Sequence, residues 1–150
     1  MNDYSDKAII TWDKIKDDSV ALAAKLRKEF QVPDKILAIT RGGLIPASLV
    51  TRPLGIKDIE TMGIETYHGQ EQTDSVNIIK KADPAYLKDT LIIDDLVDTG
   101  KTFAYLKDNT ENCIFATLYA KPKGAEFTDC FIEEFEQHIW VDFPWEIEDE

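Results

Sequence analysis

The sequence predicts an α/β domain: a central parallel sheet with helices on both sides and a small C-terminal hood. Three observations predict it. Short apolar runs of strand length alternate with segments of helical period. Leu91, Ile92 and Ile93 are apolar in succession, as an interior strand buried on both faces requires. Two strand-like runs, ending at Thr40 and Asp94, break into glycine-containing turns that open helices. Both turns fall at strand C-termini, where open α/β sheets bind ligands.

The elements follow in order. Thr11 can cap a helix running to about Phe30, with Ile15, Leu22 and Leu26 on one face. Lys35 to Thr40 reads as a strand, and Leu44 to Leu54 as the next helix despite its internal Pro46, closed by Pro53 and Gly55. Ile59 to Tyr67 is a strand, with a polar, flexible loop over about 68–75 and a return strand from Val76 to Lys80. Asp83-Pro84 marks a turn before the central strand. A helix covers about Thr102 to Thr110, where Phe103, Leu106 and Lys107 recur at helical spacing, and Cys113 to Ala120 is another apolar strand. From Lys121 to about Glu146 the pattern loosens into short pieces. With no linker, repeat or low-complexity tract, residues 1–150 are expected to form one domain.

Composition narrows the function. The net charge is −12, from 29 acids and 17 bases, which argues against nucleic acid as a partner. No run of 18 apolar residues occurs and the first residues are polar, so no membrane partner and a cytoplasmic location are expected. Cys113 and Cys130 lack metal-ligand spacing and read as free thiols, and His68 and His138 have no partner in the sequence pattern. The acidic ending Glu146, Glu148, Asp149 and Glu150 reads as a solvated tail.

The run Leu91-Ile92-Ile93-Asp94-Asp95-Leu96-Val97-Asp98-Thr99-Gly100-Lys101-Thr102 carries the most chemistry. It sets a buried strand against three carboxylates and a turn at a helix N-terminus, where backbone N–H groups and the helix dipole favour a phosphate. Gly100 permits close approach, and the hydroxyls of Thr99 and Thr102 add donors. The Gly-Lys-Thr tripeptide is not a P-loop, because the position that motif needs as its first glycine is Asp95. Read blandly, the acids are a strand end and helix cap, but three like charges there call for a cation or donors. Arg41-Gly42-Gly43 makes a second candidate anion site, with glycine N–H groups forming a nest and Arg41 supplying forked donors. The two sites suit a substrate with a phosphate at one end and a diphosphate at the other.

The Asp94–Thr102 segment resembles the phosphoribosyl-pyrophosphate (PRPP) signature of type I phosphoribosyltransferases. Ala38-Ile39-Thr40-Arg41-Gly42-Gly43-Leu44-Ile45-Pro46 is similar to that family's pyrophosphate loop. Ala120-Lys121-Pro122 and Trp140-Val141-Asp142-Phe143-Pro144-Trp145-Glu146 resemble the purine-binding hood of the bacterial xanthine-guanine members, as Ile10-Thr11-Trp12-Asp13 resembles their opening. The likeness runs from about residue 9 to 146.

The resemblance implies the type I phosphoribosyltransferase fold and a purine-salvage transfer of 5-phosphoribosyl from PRPP. The acceptor is a 6-oxopurine base (guanine or xanthine, with hypoxanthine also open), and the products are GMP, XMP or IMP and pyrophosphate. It implies Asp98 as the general acid or base at purine N7. Asp94 and Asp95 address the ribose and Mg²⁺, the metal being held mostly through substrate and water, and Thr99, Gly100, Lys101 and Thr102 hold the 5′-phosphate. Arg41, Gly42 and Gly43 bind pyrophosphate behind a cis Thr40–Arg41 peptide. Lys121 donates to the 6-oxo group, Trp140 stacks on the base, and Val141 and Asp142 read its 2-position, partly through backbone carbonyls. A homo-oligomer, dimer or tetramer, is also implied. Two departures stand out: the loop between Tyr67 and Lys80 lacks the arginine that relatives place over the pyrophosphate, leaving Lys80 or Lys81 as substitutes, and the longer tail of better-known relatives is missing. Two other uses of the fold remain open: a PRPP- or nucleotide-binding regulator, and a transferase for another base.

Overall fold

A computed structural model describes residues 6–66 and 76–147. The chain order is β1 (Lys7–Ile9), α1 (Trp12–Glu29), β2 (Lys35–Thr40), α2 (Leu44–Leu54), β3 (Asp58–Thr66) and β4 (Val76–Lys80). It continues through β5 (Leu91–Val97), α3 (Lys101–Asn109), β6 (Ile114–Ala120), β7 (Glu133–Glu134) and β8 (Trp140–Asp142). Six strands form one sheet in the order β4-β3-β2-β5-β6-β7, parallel throughout except for the β3–β4 hairpin at one edge.

Alternate residues of the interior strands feed two cores. Ile36 and Ala38 of β2, Leu91 and Ile93 of β5, and Leu118 of β6 pack with Ile15, Leu22 and Leu26 of α1 and with Val50 of α2. Leu37, Ile39, Ile92 and Phe115 point the other way, against Phe103 and Leu106 of α3. Burial on both faces is why these strands are continuous apolar runs.

The helices begin and end where their chemistry dictates. The Thr11 hydroxyl accepts the Lys14 N–H at 3.1 Å, capping α1. Pro46 sits in the first turn of α2, where a missing N–H is tolerated. Gly55, at φ 70°, ends that helix in the left-handed conformation glycine favours.

The strand order places the functional turns. From β2 the chain crosses through α2 to β3 on one side, and from β5 it crosses through α3 to β6 on the other. Because parallel crossovers are right-handed, opposite directions put α2 and α3 on opposite faces. The point between β2 and β5 is thus the topological switch, and the turns at 41–43 and 98–101 flank it.

The hood is stitched on from both ends of the chain. β8 pairs in parallel with β1, Ala8 opposite Val141. An aromatic series then ties the hood to the sheet: Tyr119 of β6 stacks on Phe143 at 5.9 Å, Phe143 on Trp145 at 4.7 Å, and Trp145 lies 6.1 Å from Trp12. The Tyr119 hydroxyl donates to Asp18 of α1 at 2.6 Å, and Lys14 bridges Asp18 and Glu133. Both cysteines are free thiols, Cys130 buried and Cys113 half-buried. His138 is exposed beside Asp6 and Glu136, while His68 and the 68–75 loop lie outside the described residues.

Candidate active site

The chain rises along β5 into Asp94 and Asp95, both half-buried. Desolvation by the packed strands, reinforced by the neighbouring Asp95 charge, pushes the Asp94 carboxyl well above its ordinary range; burial raises Asp95 as well. Each accepts a backbone N–H, Asp94 Oδ1 from Asp95 at 2.8 Å and Asp95 Oδ1 from Leu96 at 2.7 Å. Two carboxylates held side by side against their own repulsion make a site that favours a cation.

Across from them lies the turn after β2. The Thr40–Arg41 peptide is cis. A Cβ on Gly42 would fall 2.5 Å from Asp95 Oδ2, so the absent side chain is what lets this turn and that carboxylate meet. A Cβ on Gly43 would fall 2.5 Å from the Ile93 carbonyl and 2.7 Å from that of Ile39, so backbone from both strands closes on it. The nest expected from the sequence needs one correction: the Gly43 N–H donates to the Ile39 carbonyl at 2.7 Å and is committed to the turn. Arg41 is exposed and borders a cavity of about 590 Å³ together with Gly42, Asp94, Asp95, Trp145 and Glu146.

A second cavity of about 260 Å³ is lined by Asp94, Asp98 and the whole of Thr99, Gly100, Lys101 and Thr102. Asp94 and Thr102 border both, so the cavities share a wall. Gly100 caps α3 at φ 89°, a conformation that costs a non-glycine residue about 1–2 kcal/mol. Its position starts the helix at Lys101, leaving first-turn N–H groups at the cavity.

Asp98 and Lys121 meet because the β5–β6 register pairs Val97 with Ala120, and each is the next residue. Lys121 Nζ lies 3.6 Å from Asp98 Oδ2; the lysine side chain is 4% exposed and the aspartate 52%. The Lys121 N–H bonds the Val97 carbonyl at 2.9 Å, and a Cβ on Gly124 would fall 2.7 and 2.8 Å from the Val97 and Asp98 carbonyls. The 121–124 turn therefore lies directly on the Asp98 loop.

The hood residues divide. Trp140 keeps 40% of its surface exposed. Val141 is buried in the core, so only its backbone remains for a ligand. The Asp142 carbonyl accepts the Ile10 N–H at 2.9 Å as part of the β1–β8 ladder. Of the substitutes for the loop arginine, Lys80 is already engaged: its ammonium donates to Glu60 at 3.1 Å and to the Thr61 carbonyl at 2.8 Å. Lys81 is exposed.

Sequence reasoning missed two side chains. Glu146, whose carboxyl is pushed up chiefly by burial, with the charges of Asp95 and Asp142 adding to it, lines the cavity of about 590 Å³, whereas the sequence read it only as part of a solvated acidic ending. Gln137 bonds Asp98 from an irregular segment that carries no periodic signal.

Two glycine turns at strand ends, flanking a pair of acids at the switch point, are the arrangement expected of a phosphosugar-binding α/β protein. The comparisons carry this further: a family model described as the phosphoribosyl transferase domain matches residues 6–149, and the chain belongs to that family. It is therefore an enzyme, a pentosyl-transferring glycosyltransferase of the type I group, and it is similar to the xanthine-guanine type. The xanthine-guanine phosphoribosyltransferase of Cereibacter sphaeroides is 40% identical over 146 residues, which cover 92% of this chain and 86% of that one. A purine phosphoribosyltransferase from Pyrococcus horikoshii superposes with a TM-score of 0.79 at 30% identity, covering 96% and 97% of the two chains. A Helicobacter pylori xanthine-guanine-hypoxanthine phosphoribosyltransferase, at 20% identity and a TM-score of 0.76 over 94% of each chain, shares the fold. No helix among the described residues is long and apolar enough to cross a membrane.

Proposed function

We propose that this chain transfers the 5-phosphoribosyl group of PRPP to a 6-oxopurine (guanine, xanthine or hypoxanthine), releasing pyrophosphate and the nucleoside monophosphate. The observation that carries the reading is the placement of two anion turns on either side of Asp94 and Asp95, with the Asp98–Lys121 pair adjoining. A base nitrogen forms the new bond to the anomeric carbon as the bond to the pyrophosphate oxygen breaks.

Each group then has a task. Thr99, Gly100, Lys101 and Thr102 take the 5′-phosphate at the start of α3, and Arg41 with the Gly42–Gly43 turn takes the pyrophosphate. Asp94 and Asp95 hold the ribose hydroxyls, and their charge stabilises the cationic sugar of the transition state. Asp98 exchanges a proton at purine N7. Lys121, a buried cation, donates to a 6-oxo group and disfavours a 6-amino group. Trp140 offers a stacking face, with the Val141 backbone and Asp142 at the 2-position.

The residues present fit Mg²⁺. Among the described residues no group of three or more acids, histidines or cysteines could cage a metal, while Asp94 and Asp95 form an oxygen pair whose charge a cation would offset. Magnesium characteristically binds through one or two carboxylates plus substrate oxygens and water. Bound with PRPP, it would neutralise the departing diphosphate. One domain over residues 1–150, a cytoplasmic location, a homo-oligomer (dimer or tetramer) and the absence of nucleic-acid or membrane partners complete the reading; the net charge of −12 supports the exclusion of nucleic acid.

The test is pyrophosphate release from PRPP and Mg²⁺ with guanine, xanthine, hypoxanthine, adenine, orotate and uracil in parallel. Turnover is expected with the oxopurines. Turnover with adenine or orotate alone would overturn the base assignment, and none with any base would sink the transferase reading. Asp98→Asn should lower kcat about a hundredfold or more with little change in the KM for PRPP.

A further inference from the structure

We propose that Gln137 is a positioning residue that locks Asp98 and Lys121 into one unit for the transfer. The assignment rests on the function proposed above. Gln137 Nε2 donates to Asp98 Oδ1 at 2.6 Å and lies 3.4 Å from the Asp98 carbonyl. Its Oε1 accepts the Lys123 N–H at 2.9 Å. Its own backbone carbonyl accepts from Lys121 Nζ at 3.3 Å.

These bonds determine the amide's orientation. A carboxylate can only accept and a backbone N–H can only donate, so the NH₂ end must face Asp98 and the oxygen must face Lys123. Asp98 is the more exposed partner of its ion pair, with 52% of its side chain open to solvent. Left to Lys121 alone at 3.6 Å, the carboxylate would be free to rotate about a single long contact. The Gln137 amide fixes Oδ1 and thereby leaves Oδ2 toward the lysine. Proton transfer to a base requires the heavy atoms within about 2.6–3.2 Å, and a misplacement of about 1 Å costs up to about a hundredfold in rate. By holding the Lys121 ammonium through its backbone carbonyl and the Lys123 N–H through its side chain as well, the same residue sets the distance between the group that handles the N7 proton and the group that reads the 6-oxo position.

Gln137→Ala and Gln137→Glu are assayed in the full chain with guanine and PRPP. Both should lower kcat by about ten- to a hundredfold while the KM for PRPP stays within about twofold, because neither phosphate turn is touched. Gln137→Glu retains an acceptor for the Lys123 N–H but replaces the donor toward Asp98 with a second carboxylate, so orientation is lost and repulsion added, and it serves where the alanine variant fails to fold. On an Asp98→Ala background either change should cost less than about twofold more, since no carboxylate is left to orient. Wild-type kcat in Gln137→Glu would overturn the proposal, as would equal losses in both backgrounds. If the wild-type chain turns over no base at all, the functional reading fails instead. The bracket is then judged by the Gln137 side-chain amide resonances: they should move on Asp98→Ala, and resonances that stay put would overturn it.

Discussion

Gly100→Ala tests whether the turn before α3 is built for a phosphate or merely happens to contain a glycine. A Cβ at this position would lie 2.7 Å from Cε2 and 2.9 Å from Cγ of Phe127, and closer still to Cδ2. Carbon atoms pack at about 3.5–4.0 Å, so the ring or the turn must move by several tenths of an ångström at least. Overpacking of this kind costs about 1–3 kcal/mol. The backbone adds its own penalty, since φ is 89° and a side chain in the left-handed region costs about 1–2 kcal/mol. Together the loss is about 2–5 kcal/mol, which for a chain of this size lowers Tm by roughly 4–20 °C. The assay is thermal unfolding beside PRPP saturation kinetics. Because the displaced N–H groups are those proposed to hold the 5′-phosphate, the KM for PRPP should rise at least about tenfold. Adding Phe127→Ala should recover the steric part of the affinity loss and leave the φ part. A Gly100→Ala protein with unchanged Tm and unchanged KM would refute both the packing and the phosphate role.

Other substitutions separate stability from chemistry. Gly42→Ala places its methyl against the end of the Asp95 side chain rather than against backbone, so the carboxylate can swing away. Tm should fall by no more than about 3 °C while the KM for PRPP rises about tenfold; a large loss of Tm with normal kinetics would show the turn to be structural. Glu60 is held down to about 2 by the Asp83 and Thr61 N–H groups and by Lys80. A carboxyl depressed on folding stabilises above its ordinary value of about 4.3 and loses that contribution as the pH falls toward about 2. Glu60→Gln should therefore flatten the acid-side fall of Tm between about pH 4.5 and 2, and an unaltered slope would remove the clamp from the account.

What could be read from the sequence follows from where its signals are strong. β5 was legible because burial on both faces forbids polar residues at 91–93, and the turns at 41–43 and 98–101 because a strand, a glycine and a helix start adjoin in each. α1 was legible through Ile15, Leu22 and Leu26, all of which are fully buried. The β1–β8 pairing was not: each strand has three residues, too few for a period, and more than a hundred residues separate them. Asp98 and Lys121 were each singled out, but their meeting depends on the β5–β6 register, which no local pattern encodes. Gln137 gave no signal, since an amide at the surface of an irregular segment is unexceptional until its partners are known. Lys80 shows the reverse case: a cation at a plausible sequence position is spent on the Glu60 clamp.

The parallel pairing of β1 with β8 also gives the site an order of assembly. A chain synthesised from its amino end has β2, α2, β5 and α3 available well before residue 140 exists, but a domain folds as a unit, and this one is complete only when β8 can pair with β1. The edge carrying Trp140 closes only when β8 returns to β1, across the widest sequence separation of any strand pair among the described residues, whose closure entropy falls due at the end. The edge that carries Trp140 is in this way the last part of the fold to be completed.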